Sequence, residues 1–160
     1  MTATDEDSII SASRPWLHFE PDGRDRVEIL RAAAQTAGVV VELDGEAIAR
    51  VDDVFDSYSR VFGFPDYFGA NWPAFAECLV ALHDRPSPSY LTIVRNAGGL
   101  LRDDPLDLPT YMRVISDVGR SWSRRIGLAP EWGGDQVAFN TVLLGREADL
   151  DRLRIRGDVG

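Results

Sequence analysis

The sequence predicts an α/β protein with a small parallel β-sheet of about three to four strands flanked by helices. Two observations lead to this prediction. Short runs of β-branched and other apolar residues recur along the chain, and segments with apolar residues at helical spacing separate them. Strands that alternate with helices pair in parallel, because each crossover returns the chain to the same end of the sheet. The length of 160 residues fits one compact domain.

Composition and charge limit the classes of ligand. The chain is 44% hydrophobic, which is typical of a globular protein, and its formal net charge is −9. Phosphates would be repelled, so we expect neither nucleic acid nor an anionic membrane as the main ligand. The same charge favours rapid encounter with a basic protein. A single cysteine, no signal-peptide pattern and no apolar run of roughly 20 residues predict a soluble cytoplasmic protein.

The first predicted elements lie before the Asp44-Gly45 turn. The apolar sequence at 16–19 predicts a short strand. Apolar residues at helical spacing predict a helix over 25–37, and the β-branched run at 39–43 predicts a buried strand. We therefore expect residues 1–37 to form an N-terminal extension whose strand and helix pack on the core.

The remaining elements continue the alternation of helices and strands. Asp52 is placed to cap a helix that runs through Phe62, and the following Gly-Phe-Pro sequence ends it. The other predicted elements are a helix capped by Asn71, a strand at 90–94, a helix capped by Thr110 and running to Arg125, a strand at 137–144 and a short peripheral helix after 146. This pattern predicts one domain at 38–145, followed by a C-terminal tail at 146–160.

Side chains suited to catalysis or metal binding are scarce. His18 and His83 lie far apart in sequence, and neither has the spacing of a metal site, so we expect both at the surface or at helix caps. Cys78 lies among apolar residues of a predicted helix, which favours inert packing over nucleophilic use. The glycine pairs lack the spacing of a nucleotide-binding loop. The sequence therefore predicts a protein that is not an enzyme and that needs no cofactor or metal.

The most informative segment is the helix predicted over 71–84. Pro73 fits its first turn, because no helical hydrogen bond needs an N–H there. The side chains predicted to face the core recur at helical spacing: Trp72, Phe75, Leu79 and Leu82. The opposite face is small-sided and nearly flat, and it consists of Pro73, Ala76, Glu77, Val80, Ala81 and Asp84. Such a face can enter a cleft, where one protruding carboxylate can meet an arginine.

The residues of this segment also have plainer interpretations. Tyr67 and Phe68 could belong to the core, and Gly69 could serve a turn that requires a positive φ. An exposed glutamate such as Glu77 usually contributes only to solubility. However, nine acidic residues face only two arginines between residues 39 and 84. This local excess of negative charge favours a surface that binds a basic protein.

The order of residues from 39 to 82 resembles the barstar family of ribonuclease inhibitors. The resemblance rests on the sequence Pro-Asp-Tyr-Phe-Gly at 65–69, then Asn71, and then Glu-Cys-Leu at 77–79. Beyond Pro86 the similarity is only architectural. It implies a barstar-like fold, in which this helix and the preceding loop cover the active site of a secreted ribonuclease. Acidic side chains then take the place of RNA phosphates.

The resemblance also implies which residues bind the partner. Tyr67 matches a loop tyrosine that packs on the enzyme, and Gly69 and Asn71 match the junction between loop and helix. Glu77 matches an aspartate that reaches the phosphate pocket, and Asp117 is the candidate for a second acid on a later helix. The rest of the expected interface is the small-sided face, with Pro73, Ala76, Val80 and Ala81. The implied partner is a basic microbial ribonuclease, bound by a monomer without a cofactor.

Two positions depart from the family's pattern. Pro73 stands where the family often has an acidic residue, and Ala76 stands where it can have a large aromatic one. Such changes alter which enzyme fits, because specificity depends on the geometry of desolvated charges. Two functions therefore remain open. One is an acidic inhibitor, or immunity protein, that occludes a microbial ribonuclease. The other is a barstar-like module that binds a different protein, such as a toxin that is not a ribonuclease.

Overall fold

Four parallel strands form one sheet, and helical segments cover both of its faces. The structure is a computed structural model that describes residues 11–12, 14–23, 28–29, 32, 38–82, 87, 89–124 and 137–157. Its alternation of strands and helices confirms the predicted α/β class. None of the helices in the described ranges is long and apolar enough to cross a lipid bilayer.

The sheet has the strand order β1-β4-β3-β2, with every neighbouring pair parallel. The strands are β1 (Leu17–Pro21), β2 (Val39–Asp44), β3 (Ser89–Arg95) and β4 (Ala138–Gly145). The four strands predicted from apolar runs are confirmed, and their ends shift by no more than two residues. Strands β3 and β4 lie in the centre, and every residue of β4 is buried. This burial on both faces explains why β4 is mostly apolar, with Asn140 and Thr141 as its polar residues, rather than alternating.

The helices outside the N-terminal segment are α1 (Val51–Phe62), α2 (Trp72–Val80), α3 (Leu108–Ser123) and α4 (Glu147–Gly157). The predicted caps of two of them are wrong. Helix α1 begins one residue before Asp52, with Arg50 as its N-cap, and Asp53 accepts a hydrogen bond from the Arg50 N–H. Helix α3 begins at Leu108 rather than after Thr110, because a 3₁₀ turn over Pro105–Asp107 leads directly into it.

The main core fills the space between one face of the sheet and the four helices. It contains the inward residues of α1, α2 and α3, and α4 adds Leu150 and Leu153. A smaller cluster covers the other face, where Ile29 and Ala32 pack with apolar residues of β3 and β4. Most of the helix predicted over 25–37 lies outside the described residues, but Glu28, Ile29 and Ala32 are helical. The buried pair Ile29 and Ala32 thus closes the second face.

The edge strand β1 carries a buried histidine. His18 is only 3% exposed, so its predicted place at the surface is wrong. Its Nε2–H donates to Asn140 Oδ1 at 3.0 Å, and Asn140 Nδ2 donates to the carbonyl oxygen of Ser11 at 2.9 Å. His18 is buried because β1 pairs with β4 and so becomes part of the sheet. His83, the other histidine, lies outside the described residues.

Stability should depend on pH through His18. Burial lowers the pKa of its imidazole, and the hydrogen bond to Asn140 offsets only part of that effect. The unfolded chain binds a proton near pH 6.5 and the folded one resists it, so the free energy of unfolding should fall as pH drops below about 6.5. Replacement His18→Gln should flatten this slope between neutral pH and pH 5 in urea titrations.

The replacement His83→Gln is the matched control, since it removes the other imidazole. A wild-type slope that survives His18→Gln unchanged would show that His18 is not the titrating group.

Candidate functional site

The loop between α1 and α2 turns one aromatic side chain outward and its neighbour inward. A tight turn is closed by the Phe68 N–H, which donates to the carbonyl oxygen of Pro65 at 3.0 Å. Phe68 then packs edge-on against Phe55 and Phe64, with ring centroids 5.9 and 5.0 Å away. Tyr67 is 88% exposed. The turn therefore assigns Phe68 to the core and leaves Tyr67 projecting into solvent.

The junction between this loop and α2 is fixed by Asn71. Its Oδ1 accepts from the Ala74 N–H at 2.9 Å, which confirms Asn71 as the N-cap, and its Nδ2 donates to the Gly69 carbonyl at 3.3 Å. A side chain at position 69 would approach Asn71 Nδ2 to 3.2 Å, so glycine makes room for the folded-back amide. The residue with positive φ is Ala70, at 49°, and not Gly69. That left-handed alanine costs about 1–2 kcal/mol and marks a strained junction.

The inner face of α2 is anchored as the helical spacing predicts. Phe75 and Leu79 are fully buried, and Leu82 beyond the helix end is buried as well. Trp72 is half-buried, and its Nε1–H donates to Asp107 Oδ1 at 3.3 Å. At the other end, an indole N–H from α3 donates to the carbonyl oxygen of Leu79 at 3.0 Å. Packing and two hydrogen bonds therefore hold both ends of the helix.

Two buried tyrosines form the floor beneath α2. The hydroxyls of Tyr58 on α1 and Tyr111 on α3 lie 2.8 Å apart. Burial raises the pKa of both phenols, so both remain neutral and one hydroxyl donates to the other. The ring of Phe75 meets Tyr58 edge-on at 4.9 Å. The tyrosine pair thus joins α1 to α3 at the point where α2 rests on them.

The predicted face of α2 is mostly exposed, although Ala76 and Val80 also pack partly against the core. Asp84 lies outside the described residues. We call the α2 surface the set of Tyr67, Gly69, Asn71, Pro73, Ala76, Glu77, Val80 and Ala81. In this set Ala76 and Val80 are half-buried, and the other side chains are exposed. Tyr67, Glu77 and Ala81 also line one common cavity, so the fold brings loop and helix residues together. The predicted residues of loop and helix therefore share one accessible region.

The two predicted acids differ in their surroundings. The exposed carboxylate of Glu77 makes no ion pair or side-chain hydrogen bond with any residue in the described part of the chain. Asp117 lies on α3, and its Oδ1 accepts from Arg120 at 3.2 Å. The guanidinium of Arg120 also lies over the ring of Trp16, 5.5 Å from its centroid. Asp117 is therefore already engaged within its own helix, whereas Glu77 offers an uncompensated charge.

A cavity beside Glu77 was not predicted from the sequence. It has a volume of about 490 Å³ and lies between the C-terminal end of α1, the loop and α2. Among the side chains that line it are Phe62, Phe64, Tyr67, Glu77, Cys78 and Ala81. The shape of such a cavity depends on the angle between two packed helices, and the spacing of apolar residues in the sequence does not predict that angle.

Cys78 borders this cavity but is poorly suited to nucleophilic chemistry. Burial raises the pKa of its thiol, and the neighbouring charge of Glu77 raises it further. The thiol form, which is a weak nucleophile, therefore predominates at neutral pH. Within the described residues, no three His, Cys, Asp or Glu side chains converge in a way that could hold a metal ion.

The excess of acids counted along the sequence is partly compensated in the fold. Glu42 and Glu46 lie 3.8 Å from Arg95 and Arg102, which come from outside the counted segment. The sequence window missed these pairs because parallel strands bring distant residues to one end of the sheet. The negative charge around the α2 surface therefore depends on Glu77 and nearby acids such as Asp66, rather than on the whole segment.

The cap of α2 should contribute measurably to stability. Asn71→Ala removes the acceptor for the Ala74 N–H, and we expect a loss of about 1 kcal/mol in the free energy of unfolding. Asn71→Asp keeps that acceptor and should retain most of the stability. Urea denaturation of the three proteins at pH 7 measures both effects. If the alanine and aspartate variants lose stability equally, the cap does not depend on the side-chain oxygen.

Comparison with known proteins agrees with this geometry. A family model described as Barstar (barnase inhibitor) matches residues 38–142. A search of the curated proteins gives no match. The matched segment begins just before β2, contains α1, the loop, all of α2, β3 and α3, and ends within β4. It covers most of the chain and includes the motif that carries the resemblance, so this protein belongs to the barstar family.

Proposed function

We propose that this protein inhibits a basic microbial ribonuclease by laying the α2 surface over the enzyme's active site. The observation that carries the proposal is Glu77, an exposed carboxylate without an internal partner on a helix that is anchored at both ends. Membership of a family described as barnase inhibitors supports the same class of partner. Binding would be reversible and would require no covalent step.

The charge of Glu77 suits a site that has evolved for a polyanion. An enzyme that cleaves RNA must hold phosphates, which it does with arginine, lysine or histidine side chains. A carboxylate can accept charge-assisted hydrogen bonds from the same donors. Glu77 would therefore occupy a phosphate position, while Tyr67 would pack beside it. The absence of an internal ion pair within the described residues means that no intramolecular contact must break first.

Rigidity of the α2 surface would favour tight binding. Association loses free energy when loops and side chains must be ordered at the interface. Here Phe75 and Leu79 are buried, and Asn71 fixes the loop to the helix. The small side chains Ala76 and Ala81 lose no rotamer freedom on burial. Most of the ordering cost would therefore already be met in the free protein.

A non-enzymatic role in the cytoplasm completes the proposal. His18 is buried and bonded to Asn140, and Cys78 has a raised pKa, so neither forms a nucleophile–base pair in the described residues. We propose that the protein acts as a monomer before it meets its partner. A cell that secretes a ribonuclease would gain protection from such an inhibitor.

A second candidate function follows from Pro73 and Ala76. Pro73 is exposed in the first turn of α2, and Ala76 is half-buried beside Glu77. These two positions make the α2 surface flatter and less charged than the family's usual pattern. A barstar-like module with this surface could bind a different protein, such as a toxin that does not cleave RNA.

A panel of microbial extracellular ribonucleases separates the two candidates. The proposed function predicts that at least one basic ribonuclease is inhibited stoichiometrically, with an association rate that falls as salt is added. Salt screens steering charges over about 8 Å at physiological ionic strength. If no ribonuclease of the panel is bound or inhibited at micromolar protein, ribonuclease inhibition is the wrong function, and a pull-down from the source cell then tests the alternative.

Glu77 should dominate the affinity for the cognate ribonuclease. Loss of one partner from a buried, hydrogen-bonded charge pair costs roughly 2–5 kcal/mol, whereas a rim charge costs under about 1 kcal/mol. We therefore expect Glu77→Ala to weaken binding far more than Asp56→Ala, which removes an exposed acid of α1. Calorimetric Kd values for the two variants measure the difference.

Glu77→Gln keeps the shape of the side chain and should also lose most of the affinity. Small and equal effects of Glu77→Ala and Asp56→Ala would place Glu77 outside the interface.

A further inference from the structure

A second cavity joins arginine side chains to an apolar floor. It has a volume of about 220 Å³ and lies between the N-terminal end of α3, the 3₁₀ turn at Ala97–Gly99 and helix α4. Three arginines line it, Arg102, Arg152 and Arg156, and no acidic side chain does. We call this cavity and its three arginines the arginine site. It stands out because the whole chain carries a net charge of −9.

The positive charge of the arginine site is only partly compensated. Arg152 donates to Asp149 Oδ1 at 2.8 Å, but Asp149 also accepts from Arg146. Arg102 donates to the carbonyl oxygens of Glu46 and Gly99, and the Glu46 carboxylate is 3.8 Å away. These exposed pairs leave both guanidinium groups accessible.

Arg156 is the least compensated of the three. It is exposed and makes no ion pair with any residue that the structure describes. Arg102 pairs with Glu46, and Arg146 and Arg152 share Asp149, so Arg156 is the guanidinium of the cavity that has no ion pair within the described residues. An anion would therefore meet an unneutralised cation here.

Apolar side chains accompany this charge. Leu101, Leu108 and Leu153 line the cavity and form its buried floor. Leu106 is 92% exposed and Ile155 is 68% exposed, and each adjoins a lining residue in sequence. Large side chains with this degree of exposure are scarce in the described residues, where Tyr67 of the α2 surface is the other example. Exposed apolar groups beside arginine are typical of protein interfaces.

We propose that the arginine site binds an acidic segment of a partner protein, with a carboxylate on Arg156 and Arg102 and an apolar side chain on the leucine floor. The planar guanidinium group matches a carboxylate in two parallel hydrogen bonds. A volume of about 220 Å³ admits a side chain rather than a folded element. The complementarity of charge and of apolar area therefore points to one short peptide segment.

A nucleic acid fits this surface less well. The exposed acids Asp103 and Asp151 adjoin Arg102 and Arg152 in sequence. They would repel every phosphate of a nucleic acid except the one bound in the cavity. A peptide can place a single carboxylate in the cavity and direct its next residues elsewhere. The net charge of −9 likewise opposes a long polyanion.

The arginine site is independent of the proposed ribonuclease inhibition, because it shares no residue with the α2 surface. A nuclease assay with the Arg156→Gln variant keeps the two hypotheses apart. Inhibition of the cognate ribonuclease should be unchanged by this replacement, whether or not an acidic peptide binds.

Titration of the isotope-labelled full chain with a short peptide that carries one glutamate beside a leucine tests the site. We expect saturable NMR shifts at the amides of Gly98 and Leu101, and no such shifts with the peptide in which glutamine replaces glutamate. Arg156→Gln should weaken peptide binding about tenfold, the loss expected for one charge-assisted hydrogen bond. Arg156→Lys should restore part of the affinity. Arg60→Gln, an equal charge change at an exposed site on α1, is the matched control.

Four results would overturn the proposal. The first is the lack of saturation at millimolar peptide, and the second is an equal response to the glutamine peptide. The third is tighter binding of oligothymidylate to the same amides, which would identify a polyphosphate rather than a peptide. The fourth is equal weakening of peptide binding by Arg60→Gln and Arg156→Gln, which would show that only the net charge of the protein matters.

Discussion

The carboxylate of Glu77 has a defined position because the inner face of α2 is packed against the rest of the protein. An isolated helix of nine residues is unstable in water, so the conformation of α2 depends on tertiary packing. Phe75 contributes to this packing, since its ring contacts those of Phe55 and Tyr58 on α1 at 5.8 and 4.9 Å. Such aromatic pairs add about 0.5–1.5 kcal/mol each beyond the area they bury. The position of Glu77 is therefore set by residues on its opposite side.

Much of the fold could be predicted from local patterns. The buried strands appear as apolar runs, and the faces of α2 follow from helical spacing, because both signals depend only on which side chains must leave water. The errors concern partners that are distant in sequence. Asp104 accepts from the Val51 N–H at 2.8 Å and so helps to start α1, although 53 positions separate the two residues in sequence. His18 is buried by pairing of β1 with β4, which no local pattern encodes.

The candidate site was predicted less evenly. The family motif and helical spacing together predicted the residues of the α2 surface, and the structure leaves Tyr67 and Glu77 accessible. Their role in binding stays a prediction. Sequence counting overestimated the acidic excess because Arg95 and Arg102 reach back across the sheet. The sequence also made Gly69 a candidate for a positive φ, whereas the residue with a positive φ is Ala70, because glycine preference cannot tell which of two adjacent residues adopts it.

The parallel pairing of β1 with β4 has a consequence for biosynthesis. Residue 17 lies opposite residue 141, so the first strand to leave the ribosome must wait for the last one before it can pair. Closing so long a loop costs entropy that only the finished β4 can offset. The strands β2 and β3 and the two helices between them, α1 and α2, can assemble earlier, because they are neighbours in the chain. The first strand can therefore dock only after residue 145, the last residue of β4, has been translated.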